Sequence, residues 1–127
     1  LMNLSNTLSS SSLLKPKEHL NQHPEITFEK KIEIDTTTID QWAIKNKISK
    51  IDFMWLDLQG IELEVLKSSE SILKNVKVIY TEVSLIENYE GTALYEELKD
   101  FLISRGFRVD KEELPWQDMG NVLFVRE

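Results

Sequence analysis

The chain has 127 residues, 41% hydrophobic and 29% charged, which suits one small domain or part of a larger one. Its net charge of -7 excludes a nucleic-acid partner held through phosphates, and modest negative charge of this kind mainly serves solubility. There is no cysteine, so disulfides, thiolate metal sites and cysteine nucleophiles are excluded together, a composition that fits a cytoplasmic protein.

Residues 1–25 carry little periodicity. Ser9 to Ser12, Pro16 and Pro24 predict an irregular amino-terminal segment, with a short helix over Lys15 to His23. This end lacks the basic head and apolar run of a signal peptide, and no apolar stretch approaches the ~20 residues that span a bilayer, so no membrane partner is expected. Leu1 before Met2 is odd for a natural start and suggests a piece of a longer protein. Residues 26–127 form the structured part. Phe28 to Ile34 alternates towards its end and predicts a short strand. Threonines 36–38 then precede Ile39, Trp42 and Ala43 at helical spacing, with Trp42 expected in the core.

Ile51 to Leu56 is apolar except for Asp52 and predicts a strand buried on both faces, with Trp55 in the core. From Ile61 onward, Val65, Leu66, Ile72 and Leu73 mark one face of a helix interrupted near Ser68 and Ser69. Val76 to Leu85 is rich in β-branched residues and predicts a second central strand. Leu94, Tyr95, Leu98 and Leu102 mark another amphipathic helix, ended by Gly106 as a left-handed cap. Phe107 to Asp110 and Asn121 to Arg126 predict two closing strands. Strands alternating with helices imply an α/β fold, a mostly parallel sheet that ends in an antiparallel hairpin.

Ligands of open α/β sheets gather at the carboxyl ends of strands. Asp57 ends one predicted strand and Glu82 lies near the end of the next. If the strands are neighbours, the two carboxyls reach one crevice and serve as general base, cation ligand or substrate orienter. Gln59 adds an amide there, and Gly60 permits a tight turn close to a ligand. An Asp and a Gly between strand and helix also serve simply as cap and turn, so both readings stand for them. A carboxyl on a buried strand, such as Glu82, needs a partner. Trp116, in the loop beside Gln117 and Asp118, is a candidate pocket residue. His19 and His23, four apart, share a helix face but lack the glutamate of a zinc-protease motif, so no metal site is predicted. Neither a nucleophile elbow nor a P-loop is present.

Taken together, "TTTIDQW", "IDFMWLDLQGIELEVLK", "VKVIYTEVS", "LYEEL" and "GNVLFVR" resemble the FkbM family of S-adenosylmethionine-dependent methyltransferases. The family's Thr-Thr-Leu-Asp appears as Thr37, Thr38, Ile39 and Asp40. Its strand-ending Asp-Val-Glu-Gly-x-Glu appears as Asp57, Leu58, Gln59, Gly60, Ile61 and Glu62, with Gln59 in place of the commoner glutamate. The resemblance implies a Rossmann-like methyltransferase sheet, of which this chain would be the carboxyl-terminal half. It implies S-adenosylmethionine as cofactor, held mainly by earlier strands that would precede Leu1, so that this chain alone is expected to be inactive. The implied partner is a small-molecule hydroxyl acceptor, a saccharide or sugar-decorated metabolite. Asp57 and then Glu82 are the expected catalytic groups, with Gln59, Gly60, Glu62 and Trp116 around the substrate and Asp40 at its own helix start. The rival expectation is a non-catalytic binding or assembly module that self-associates through an exposed sheet edge.

Overall fold

The computed structural model describes residues 1–127, arranged as mixed α/β with two sheets. The smaller sheet pairs β1 (Met2–Ser5) with β2 (Phe28–Ile32) antiparallel. Between them lie a 3-10 turn, Leu8–Ser10, and α1 (His19–Gln22). The segment expected to be irregular therefore begins with a strand, and the strand expected near Phe28 pairs with it rather than joining the main sheet. No apolar alternation announces β1 because its inward side chains, Asn3 and Ser5, are polar. Asn3 Nδ2 donates to the Leu14 carbonyl at 2.7 Å, and the Ser5 amide donates to Ser11 Oγ at 3.1 Å.

The rest of the chain runs α2 (Ile39–Asn46), β3 (Ile51–Leu56), α3 (Glu62–Lys67), α4 (Glu70–Leu73), β4 (Val76–Ser84), α5 (Tyr95–Ile103), β5 (Phe107–Glu113) and β6 (Met119–Arg126). The sheet order is β3-β4-β6-β5. The β3 and β4 strands pair parallel, whereas β6 pairs antiparallel with both β4 and β5. The expectation of a mostly parallel sheet is thus corrected. Helical crossovers do leave β3, β4 and β5 running one way, but the returning arm of the terminal hairpin inserts between β4 and β5.

Alternation along the strands sorts the side chains. Met54, Ile79 and Phe124 lie side by side on one face, as do Leu56, Thr81 and Val122 in the next row. All six are buried beneath Leu66, Leu73, Leu98 and Leu102 from the helices. Phe53 and Trp55 point the other way and are 54% and 68% exposed. The strand expected to be buried on both faces is therefore covered on one, because α3, α4 and α5 pack on the same side and β3 is an edge. Trp42 is also exposed rather than core, since α2 buries only Ala43.

Candidate functional site

The same alternation that leaves Phe53 and Trp55 uncovered carries Asp57 onto their side of the sheet. On β4 it carries Glu82 there too, two residues beyond Tyr80 and level with Asn121 of β6. Two adjacent parallel strands thus bring two carboxyls to one end of one face. Beyond β3, Gln59 and Gly60 take successive left-handed conformations, φ 53° and 104°. A side chain at Gly60 would stand 2.4 Å from Thr92 Oγ1, so only glycine fits. Gln59 is not glycine, and its conformation costs about 1 kcal/mol. The turn is held by Ser12 Oγ, which donates to the Gln59 carbonyl at 2.6 Å.

That turn aims the Gln59 amide between the carboxyls. Nε2 donates to Asp57 Oδ1 at 2.7 Å and to Glu82 Oε2 at 2.9 Å, using both of its hydrogens. Its Oε1 lies 2.9 Å from the Tyr89 hydroxyl, which also approaches the Ser10 carbonyl at 2.9 Å. Burial pushes the Glu82 carboxyl up to about 9, and the neighbouring Asp57 carboxylate adds to the rise. Glu82 is therefore protonated at neutral pH beside Asp57. Tyr89 is raised as well, by burial and by the same carboxyls.

Asp57, Gln59 and Glu82 line a cavity of about 250 Å³ together with Trp116. Glu62 and Gly60, expected at the substrate, lie outside that lining. The Glu62 carboxylate is turned back onto the strand tip, accepting from the Leu58 amide at 2.7 Å and the Gly60 amide at 3.1 Å. Burial raises its pKa despite those bonds. Asp40 is likewise occupied elsewhere. It accepts from the Ser71 and Ile72 amides at 3.0 and 2.8 Å and so caps α4, while Thr38 Oγ1 caps α2 by accepting from the Gln41 amide at 3.1 Å.

The amino-terminal segment also lines the cavity, through Ser9, Ser10, His19, His23 and Ile26. His19 is 2% exposed, packs against Phe28 and Tyr89, and its Nδ1 is enclosed without a partner. Burial, then the neighbouring His23, lowers its pKa. His23 Nε2 lies 3.1 Å from Oδ2 of the buried Asp118, which also accepts from Asn88 Nδ2 at 3.0 Å. Burial pushes the Asp118 carboxyl up, but the bonds from Asn88 and His23 outweigh it and hold the group below its ordinary value. The four-residue spacing of the histidines was visible in the sequence. Nothing in it placed them at the same cavity as Asp57, because the join depends on how the small sheet docks. No set of three or more His, Asp or Glu side chains is placed to hold a metal ion. No helix is long and apolar enough to cross a membrane.

The cavity can thus receive a polar group between hydrogen-bonding walls, with one carboxylate, one neutral carboxyl, an amide and two imidazoles in reach. Comparisons with known proteins bear on what it serves. The profile described as "Methyltransferase FkbM domain" matches residues 3–109. A curated relative, "2-O-methyltransferase NoeI" of Sinorhizobium fredii (strain NBRC 101917 / NGR234), is 34% identical over 95 residues, covering 75% of this chain and 39% of the relative. The chain therefore spans about two fifths of the length of that relative. No solved structure gives a significant match. With the profile covering most of the sequence, the chain belongs to the FkbM methyltransferase family.

Proposed function

We propose that the cavity binds the acceptor of an O-methyl transfer from S-adenosylmethionine, and that the acceptor is a saccharide or sugar-decorated small molecule. The observation that carries this reading is the Asp57–Gln59–Glu82 cluster at neighbouring strand ends, opening beside Trp116. Asp57 is exposed and keeps acceptor capacity beyond its bond from Gln59, so it orients the acceptor by accepting from a hydroxyl beside the one to be methylated. Glu82, protonated, supports Asp57 as a donor rather than as a second anion. Trp116 is 56% exposed and offers a flat apolar surface to the C–H face of a sugar ring. The relative's description as a 2-O-methyltransferase supports a hydroxyl acceptor.

The donor is a separate matter. The cavity, about 250 Å³, falls below the roughly 300–1,000 Å³ usual for small-molecule sites and does not take donor and acceptor together. None of the four glycines builds a Gly-rich turn after a strand. The residues present serve the acceptor side. In this reading β3, β4, β5 and β6 are later strands of a Rossmann-like sheet, and the open edge of β3 is where further strands pair.

The test is methyl transfer from S-adenosylmethionine to methyl pyranosides by the protein carrying this chain. Asp57→Asn should lower the rate about 100-fold, the scale of a lost orienting contact, while Glu82→Gln, which keeps a donor and an acceptor, should keep most of it. Full activity in Asp57→Asn contradicts the assignment. A second reading, a non-catalytic assembly module, is favoured by the unpaired β3 edge and exposed Phe53 and Trp55. Concentration-dependent self-association together with no donor binding would select it.

A further inference from the structure

The reaction read above must dispose of a proton. Asp57 faces the acceptor, but an imidazole, whose ordinary range lies near neutrality, is better matched to that task than a carboxylate. We propose that His23, its Nε2–H held by Asp118, takes the proton that the acceptor hydroxyl releases, an assignment that rests on the cavity being the acceptor site.

An ionised carboxylate only accepts hydrogen bonds, so the 3.1 Å contact to Asp118 Oδ2 places the hydrogen on His23 Nε2. In the neutral ring Nδ1 is then the bare nitrogen, and no hydrogen bond from the protein occupies it. Asp118 is itself fixed, because it is buried, bonded by Asn88, and lends its carbonyl to the Leu85 amide at 2.8 Å.

Several charged groups surround His23. From its own segment Glu25 Oε1 stands 4.0 Å from Nδ1, and from the loop before β6 comes Asp118. Asp57 and Glu82 line the same cavity. The one opposing group is His19, whose ring centre is 4.9 Å away. His19 is far more buried, and burial holds its own ring towards the neutral form. In the transfer, the acceptor's O–H bond breaks and its proton goes to Nδ1. The oxygen forms the new O–CH3 bond with its electron pair. S-adenosylmethionine, where bound, would supply the methyl by cleavage of its S–CH3 bond with the pair left on sulfur. The imidazolium then returns the proton to water.

Two measurements test it. The first needs no acceptor: nitrogen-15 NMR of the histidine rings should find neutral His23 with hydrogen on Nε2, and hydrogen on Nδ1 instead overturns the assignment. The second uses methyl pyranosides as probes. For His23→Gln, kcat should fall about 100-fold or more with KM within about threefold, and the rising imidazole limb of the pH profile should vanish. For Asp118→Asn the fall should be about tenfold, because the ring loses the carboxylate that fixes its Nε2–H. A folded His23→Gln protein with near-wild-type kcat and an unchanged limb overturns the proposal and leaves the acceptor site standing. Failure of the wild-type protein carrying this chain to methylate any probe removes the acceptor-site reading, and the proposal with it.

Discussion

Glu82 couples the ionisation of the site to the stability of the protein. Its folded-state pKa, about 9, lies above the ordinary value of 4.5. A raised carboxyl gives stability that is complete below the ordinary value and lost as pH rises towards the folded one. Glu82→Gln stays neutral throughout and escapes that loss. Urea denaturation should therefore find the variant equal to wild type near pH 4 and more stable by about 1–3 kcal/mol near pH 8. His19 works with the opposite sign: its lowered pKa makes stability fall as pH drops below its ordinary 6.5. At this scale the sequence displayed the right carboxyls, since a polar residue at the end of an apolar strand stands out in a linear reading. It did not display Gln59 as their bridge. That role depends on a left-handed backbone at a residue other than glycine, which no local pattern announces. A glutamate at 59 would put a third carboxyl against Asp57 and Glu82, whereas an amide supplies the two hydrogens they need.

The helices were legible because a 3.6-residue period survives inspection by eye. The stripe through Val65, Leu66, Ile72 and Leu73 breaks where the two serines stand. Ser68 Oγ and Ser69 Oγ both donate to the Val65 carbonyl, at 2.9 and 2.6 Å, and compete for the backbone acceptor there. Restarting the helix needs a new cap, and Asp40 supplies it from 31 residues away. Asp40→Ala should therefore cost about 1 kcal/mol, the usual value of a lost cap, and amide hydrogen exchange should quicken at Ser71 and Ile72 rather than in α2. Quickened exchange confined to α2 would return Asp40 to its own helix. The sequence suggested that nearer role, because capping motifs are recognised by proximity along the chain. The amino-terminal segment was opaque for a related reason: its inward groups are Asn3, Ser5, Ser11 and Ser12, so no hydrophobic period marks it.

The whole molecule buries one face of its main sheet and leaves the other open. Composition and alternation predicted α/β, but the covering of each face is set by where the crossovers pass, which one strand's sequence does not encode. The contrast can be measured. Phe124→Ala, on the buried face, should cost about 3–5 kcal/mol, whereas Trp55→Ser, on the open face, should stay within about 0.5 kcal/mol in chemical denaturation of this chain. A large cost at Trp55 would mean that something covers that face. The site depends on this architecture, because only parallel neighbours deliver Asp57 and Glu82 to the same end of the same face. The most direct measurement of that claim is a carbon-13 NMR titration of the Glu82 side-chain carboxyl in wild type and in Asp57→Asn. The account predicts a midpoint near 9 in wild type and a lower one, still raised by burial, once the neighbouring charge is gone. A wild-type midpoint near the ordinary 4.5, unmoved by Asp57→Asn, would contradict it.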